Sequence, residues 1–321
     1  MYDYFMEKLI YQMFILGSGE FLDKAVEKGL GGIIFFTRDI KSKEQFKNLI
    51  SNFRKKSSNL FFSIDQEGGR VERTENIRPK RLSPRFAFQK GKEFLITQTQ
   101  EIAEELREFG INLNFAPLAD VNTNPLNPII GERAFADNTE EVIKGVNITT
   151  EIYKKNGIIP CIKHYPGHGD ADKDSHLTLP KIDLPINEMI ETHIKPFKNA
   201  VEKGIDMIMA AHLHCTCFDK ESIPASLSKN AIGYLRNELN FDGIIISDDM
   251  VMKGVQDFGS EEAIIMGIQA GLDMFIYRDA NKEVIDCIDK VVLRAEKDTF
   301  LASKIKQSYT RIQNLKNKYA I

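Results

Sequence analysis

The sequence predicts an α/β fold in which parallel strands alternate with helices, and two regularities indicate it. The first is a repeated junction at which a helix-like stretch ends at Gly or Asn and an apolar run begins at once. Gly and Asn tolerate the left-handed backbone conformation that ends a helix, so each junction marks a passage from helix to strand. The apolar runs that follow the seven junctions are residues 30–36, 60–64, 111–115, 158–162, 205–211, 244–247 and 272–277.

The second regularity is the helical spacing of apolar residues between these runs, as in Phe46, Leu49, Ile50 and Phe53. Near-continuous apolar strands alternating with amphipathic helices indicate a parallel sheet covered by helices. A closed (β/α)8 barrel needs one more, irregular strand, which we expect in residues 71–91 or at a terminus. An open, doubly wound sheet is the alternative architecture.

The length and composition favour one large domain. The chain has 321 residues, of which 42% are apolar, and barrels of this size commonly fold as one unit. The stretches between the predicted elements contain neither a linker nor a low-complexity tract, and residues 280–320 have the pattern of one or two closing helices. We therefore expect a single catalytic barrel domain spanning residues 1–321.

The charge and the cysteines exclude several classes of protein. Lys and Arg number 43 and Asp and Glu 46, giving a net charge of −3, so a nucleic-acid partner is not expected. Four irregularly spaced cysteines indicate reduced thiols rather than a disulfide framework. The N-terminal residues lack the basic region of an export signal, and no apolar run approaches the ~20 residues that span a bilayer. We expect a soluble, cytoplasmic protein without a membrane partner.

Polar residues collect where the predicted strands end. Because the carboxyl ends of parallel strands meet at one edge of the fold, we expect these side chains to form one polar pocket. Any one of them could be a solvated strand end, but that explanation does not account for the whole set. The residues are Asp65, Asp120, Lys163, His164, His212 and Asp248.

The segment 163–176 is the richest in ionisable groups, with three histidines, three aspartates and two glycines. Pro166 and the glycines exclude a continuous helix, so we interpret it as a loop over the pocket. Its end places the Asp174 carboxylate beside the His176 imidazole, a pair that can orient the ring and stabilise its protonated form.

A metal site is the competing interpretation of the histidines. His212 and His214 form a His-x-His pair at a strand end, as metal-dependent amidohydrolase barrels do. The pair lies late in the chain, however, and the histidines of the loop lack the i, i+4 spacing of familiar zinc motifs. We expect neither a metal nor another cofactor.

Six short motifs occur in an order that resembles glycoside hydrolase family 3, in particular its peptidoglycan-recycling β-N-acetylglucosaminidases. They are IDQEGGRV at 64–71, FAPLAD at 115–120, IGERAF at 130–135, KHYPGHG at 163–169, PASLS at 224–228 and SDDM at 247–250. The resemblance runs from about residue 30 to 255. It implies a TIM-type (β/α)8 barrel and a retaining mechanism through a covalent glycosyl-enzyme intermediate.

The resemblance also implies the roles of individual residues. Asp248 matches the nucleophile, and His176 matches the acid/base, tuned by Asp174. Asp249 is expected to orient the loop. The residues implied to bind the sugar or to line or support its pocket are Asp65, Arg70, Arg133, Lys163, His164, Asp120 and His212. Two residues depart from the family pattern outside the expected chemistry: Glu132 stands where Asp or Ser is common, and Tyr165 replaces the usual Phe.

These motifs predict an exo-acting β-N-acetylglucosaminidase that removes terminal β-linked GlcNAc from muropeptide fragments. Three alternatives stay open at the level of sequence. One is a phosphorylase of the same family, in which phosphate replaces water. The others are a metal-dependent amidohydrolase and a sugar-binding protein that has lost catalysis.

Overall fold

A closed barrel of eight parallel strands forms the centre of the computed structural model, which describes residues 2–171 and 179–321. Its strands lie in the order β1-β2-β3-β4-β5-β7-β9-β10, and β10 pairs back onto β1. The (β/α)8 prediction is confirmed. The open sheet is excluded, because each barrel strand has a neighbour on both sides. The barrel strands are β1 (Phe14–Leu16), β2 (Gly32–Phe35), β3 (Phe61–Ile64), β4 (Leu113–Asn114), β5 (Ile159–Tyr165), β7 (Met207–Ala210), β9 (Ile244–Asp249) and β10 (Met274–Tyr277).

Two further short strands, β6 (Lys181–Ile182) and β8 (His214–Cys215), pair with each other outside the barrel. Helices cover the barrel, and their apolar faces pack on the strands. The described α-helices are α1 (Tyr2–Tyr11), α2 (Leu22–Glu27), α3 (Lys43–Lys56), α4 (Pro84–Gln89), α5 (Lys92–Phe109), α6 (Thr139–Lys155), α7 (Ile186–Glu188), α8 (Lys195–Glu202), α9 (Lys229–Gly233), α10 (Lys253–Gln256), α11 (Ser260–Ala270), α12 (Lys282–Ala295) and α13 (Thr299–Lys318).

The helix-to-strand junctions behave as the sequence predicts. Gly110 and Gly271 end α5 and α11 in the left-handed conformation, with φ of 86° and 116°. At the other end, polar side chains cap the first turn: Asn138 accepts from the backbone N–H of Glu141, and Asn281 from that of Val284. These local signals fix where each βα unit turns.

The eighth strand lies at the N-terminus, which was one of the two expected places. It is β1, whose three residues follow helix α1 without a Gly or Asn junction. Residues 71–91 instead contain helix α4 and irregular backbone. At the other end of the chain, α12 and α13 are the predicted closing helices.

Two strands run further than the sequence indicated, and the extensions carry site residues. β5 continues through Tyr165, so Lys163 and His164 lie in the strand rather than after it. β9 includes Asp248 and Asp249. In the described part of the chain, no helix is both long and apolar enough to cross a membrane.

Candidate active site

A cavity of about 660 Å³ opens at the carboxyl ends of the barrel strands. Phe36, Asp65, Met209, Asp248 and Arg278 reach it from the ends of five different strands. The structure thus brings to one place residues that are far apart in the sequence. Six of the residues predicted for the site line this cavity, namely Asp65, Arg70, Arg133, Lys163, His164 and Asp248.

A network of four charged side chains forms the deep wall of the cavity. The Nζ atom of Lys163 lies 2.6 Å from Oδ1 of Asp65 and 2.7 Å from Oε1 of Glu67. The Arg133 guanidinium forms a bidentate pair with the Glu67 carboxylate, with Nε–Oε2 and Nη2–Oε1 distances of 2.9 Å each. Two cations and two anions hold one another in fixed positions, a geometry suited to hydrogen bonds with sugar hydroxyls.

Glu67 is central to this network, although the sequence analysis singled out only its neighbours Asp65 and Arg70. Its side chain is 1% exposed. Burial alone would raise the pKa of Glu67, but Arg133 and Lys163 hold it well below its usual range. A detectable signal existed, since two predicted pocket cations require anions nearby and Glu67 lies in the same motif as Asp65.

Asp120 lies behind the cavity and fixes His164. The buried carboxylate accepts from the His164 ring at Nδ1 (2.7 Å), from the His164 backbone N–H (3.2 Å) and from the His168 backbone N–H (2.7 Å). Burial would raise the pKa of Asp120, but His164 lowers it. Because Asp120 occupies Nδ1, the ring nitrogen that His164 can offer to a ligand is Nε2.

His168 also lines the cavity, and its role differs from that of His164. Burial, with a contribution from His164, lowers the pKa of His168 to about 4. The imidazole is therefore neutral near pH 7. The two rings meet edge to face with their centroids 6.0 Å apart.

Two adjacent aspartates at the end of β9 differ in their environment. Oδ1 of Asp248 accepts from the backbone N–H of Asp249 at 2.7 Å. Burial would raise the pKa of Asp248, but His164 and His212 hold it below its usual value. Asp249 pairs instead with the Arg278 guanidinium, and burial raises the pKa of Asp249. The two side chains thus differ in their partners: Asp249 is engaged by Arg278, whereas the histidines beside Asp248 lower its pKa.

His212 is buried and is not among the described residues that line the cavity, but it is close enough to Asp248 to lower the pKa of that carboxyl. Its Nδ1 lies 2.7 Å from the Ser226 hydroxyl, and Nε2 of His214 lies 2.9 Å from the Asp219 carbonyl. The two histidines therefore have separate partners. Within residues 2–171 and 179–321, no three His, Cys, Asp or Glu side chains cluster closely enough to hold a metal ion.

The predicted acid/base pair, Asp174 and His176, lies outside the described residues, so its role stays a prediction. Tyr165, which departs from the family pattern, is buried on the far side of β5. Its hydroxyl donates to the Ala231 carbonyl at 2.9 Å, and the ring is not part of the described cavity wall.

Known proteins resemble this chain over most of its length. The model of the glycosyl hydrolase family 3 N-terminal domain matches residues 10–315. A beta-hexosaminidase of Methylococcus capsulatus is 33% identical over 77% of this chain and 75% of its own length. Beta-hexosaminidase A of Pseudoalteromonas piscicida is 30% identical over 76% of this chain, which spans 45% of that protein.

The solved structures agree with the sequence relatives. The glycoside hydrolase family 3 β-N-acetylglucosaminidase from Paenibacillus sp. FPU-7 superposes with a TM-score of 0.93 at 30% identity. The superposition covers 98% of this chain and 62% of that one.

The fold and the family match together define the class of protein, a (β/α)8 barrel of the glycoside hydrolase type. The predicted class is thereby confirmed. The chain belongs to glycosyl hydrolase family 3.

Proposed function

We propose that the protein is an exo-acting, retaining β-N-acetylglucosaminidase. The observation that carries this proposal is the ionised Asp248 facing a cavity whose deep wall is the network of Asp65, Glu67, Arg133 and Lys163. The relatives named beta-hexosaminidase and the structural neighbour named β-N-acetylglucosaminidase support it.

In the proposed mechanism, the Asp248 carboxylate attacks the anomeric carbon of a terminal GlcNAc and forms a glycosyl ester as the bond to the leaving oxygen breaks. His176, with Asp174 beside it, donates a proton to that oxygen. The same imidazole then takes a proton from water, which attacks the anomeric carbon as the bond from that carbon to the carboxylate oxygen breaks, so that Asp248 is restored. Lys163, His164 and Arg133 orient the sugar through its hydroxyls.

The finer features of the function are part of the proposal. We propose small GlcNAc-containing muropeptide fragments as substrates, supported by the motifs shared with the peptidoglycan-recycling branch. We also propose a cytoplasmic location, and the free thiols of Cys161, Cys215, Cys217 and Cys287 support it. Residues 1–321 are proposed to act as one catalytic domain, which agrees with a barrel whose first and last strands pair.

The test is release of nitrophenol from p-nitrophenyl N-acetyl-β-glucosaminide with a chelator present, with or without millimolar phosphate. We expect chelator-resistant turnover that phosphate does not accelerate. Acceleration by phosphate, with sugar 1-phosphate as the product, would make the protein a phosphorylase. Absence of turnover would favour the sugar-binding alternative, and turnover abolished by the chelator would favour a metal enzyme.

A further inference from the structure

The cavity lining carries an excess of positive charge. Six Arg and Lys side chains line it, against four Asp and Glu side chains. The chain as a whole has a net charge of −3, so this excess is local. A surplus of cations in a partly enclosed cleft raises the local concentration of anions.

The excess lies in the outer part of the cavity. In the deep network, Lys163 and Arg133 are balanced by Asp65 and Glu67, and the Lys163 side chain is 3% exposed. The side chains of Arg38 and Arg278 are 48% and 40% exposed. Because the deep network is the proposed site for the sugar whose bond breaks, the outer cations lie on the side of the leaving group.

Arg38 is held at the rim by specific contacts. Its guanidinium carbon lies 5.3 Å from the centre of the Phe36 ring, and that of Arg73 lies 5.4 Å from the same ring. Nη2 of Arg38 donates to the Arg278 carbonyl and to Oδ1 of Asp279, both at 2.6 Å. These bonds use one nitrogen of the Arg38 guanidinium, so its Nε and Nη1 atoms can still donate to a ligand.

Arg278 lies next to Arg38 in this arrangement. Its Nε pairs with Asp249, and its backbone carbonyl accepts from Arg38. Arg38 and Arg278 therefore reach the rim from the ends of β2 and β10, which are separated only by β1 in the barrel. Two arginines at neighbouring points of the cavity rim can supply guanidinium donors for the two oxygens of a carboxylate.

We propose that Arg38 and Arg278, with Arg73 and Phe36 supporting them, form a subsite for a carboxylate carried by the leaving group. This inference rests on the proposed glycosidase function and deepens it. Arg38 and Arg278 then determine specificity for anionic over neutral leaving groups, without taking part in bond cleavage. Inorganic phosphate is the other anion that such a pair could bind, and the experiment separates the two.

The experiment compares two substrates that differ only in charge, GlcNAc-β-1,4-N-acetylmuramic acid and its methyl ester. Both release the same hydroxyl, so a difference in kcat/KM reports on the carboxylate. We expect the native protein to favour the acid about tenfold. Arg38→Gln should remove most of this preference by lowering kcat/KM for the acid, while kcat/KM for the ester changes less than about twofold.

Two further variants sharpen the comparison. Asp279→Asn removes the carboxylate that competes with the substrate for Arg38. The preference for the acid over the ester should therefore increase. Arg294→Gln is the matched control, since Arg294 is an ion-paired arginine, 46% exposed, that pairs with Glu262 away from the cavity. This control should keep the preference of the native protein.

Equal kcat/KM for acid and ester in the native protein would overturn the subsite, provided that the nitrophenyl glycoside is still turned over. Phosphate-dependent turnover that Arg38→Gln abolishes would assign the arginines to inorganic phosphate and also overturn it. If no substrate is turned over, the glycosidase proposal fails separately. Calorimetric binding of acid and ester to Asp248→Asn then decides the subsite, because weaker binding of the ester would support it and equal binding would overturn it.

Discussion

At the scale of single residues, the two aspartates at the end of β9 show how position distinguishes the proposed nucleophile from its neighbour. Asp248 and Asp249 are chemically identical, yet neighbouring imidazoles lower the pKa of the first and burial raises that of the second. A carboxylate with a lowered pKa stays ionised over a wider pH range, which suits a group that attacks an anomeric carbon. Asp249 forms an ion pair with Arg278, and this pair holds the end of the strand in place.

We expect different kinetic signatures when the nucleophile and the acid/base are removed. Asp248→Ala should abolish turnover at every pH, because no other group can form the ester. His176→Ala should spare aryl glycosides, whose leaving groups need little protonation, far more than natural disaccharides. The measurement is kcat/KM on both substrates, and equal losses for His176→Ala would refute the acid/base assignment.

Glu67 offers a test of the deep network. Glu67→Gln leaves the buried Lys163 and Arg133 short of one anion, so we expect the free energy of unfolding to fall by about 3 kcal/mol. KM should rise at least about tenfold, because the two cations no longer hold the positions that fit the sugar. Urea unfolding and steady-state kinetics measure the two effects.

The control for this change is Glu108→Gln, which removes an exposed partner of Lys47. It should leave both the free energy of unfolding and KM close to their native values, because an exposed ion pair contributes little. An unchanged KM in Glu67→Gln would show that the network serves stability alone.

Much of the site could be predicted from residue type and strand ends, and the remainder depends on pairing in three dimensions. Asp65, Lys163 and Asp248 follow from the rule that parallel strands present their carboxyl ends together. Glu67 and Arg278 become site residues through contacts with partners far away in the sequence. The position of Glu67 in the motif of Asp65 is a local signal for the first, whereas no local pattern marks Arg278.

At the scale of elements, local sequence patterns predict most of the barrel strands but not all of them. Seven barrel strands follow a Gly or Asn junction and a clear apolar run, so the sequence predicts them. β1 has three residues and closely follows the apolar helix α1. In the sequence, the apolar residues of the strand therefore cannot be separated from those of the helix. Its place becomes evident only from its pairing with β2 and β10.

The segment 168–171, which begins the predicted catalytic loop, packs on the segment that follows β4. The His168 carbonyl accepts from the Asn127 side chain at 2.8 Å. A Cβ atom on Gly169 would lie 1.7 Å from the Val121 carbonyl oxygen, closer than any real contact. Glycine at position 169 therefore allows the two backbones to meet.

We expect Gly169→Ala to displace the start of this loop and to lower kcat/KM, with a greater loss on disaccharides than on aryl glycosides. The reason is that the displaced segment leads to Asp174 and His176. Gly233→Ala is the control, because the only atom near its added Cβ is 3.8 Å away and the residue is helical. Identical losses on both substrates in Gly169→Ala would contradict the expected link to the acid/base.

At the scale of the whole molecule, helix α13 closes the end of the barrel opposite the cavity. The Nζ atom of the buried Lys316 donates to the Gln12 side chain (2.8 Å) and to the carbonyls of Gly31 (3.0 Å) and Asn59 (2.8 Å). These three acceptors precede β1, β2 and β3. Nζ also lies 4.8 Å from the centre of the Phe61 ring. The Lys316 side chain, whose pKa burial lowers to about 7, thus joins the last helix to the segments before the first three strands.

Lys316→Met keeps the length of the side chain and removes its three donors. The carbonyl and amide oxygens stay buried without their partner, so we expect the free energy of unfolding to fall by about 3 kcal/mol. KM should not change, because the contact lies at the other end of the barrel. Lys318→Met, which removes an exposed partner of Asp206, should cost less than about 1 kcal/mol. Urea unfolding of both variants gives the comparison, and equal stabilities would show that α13 is held by apolar packing alone.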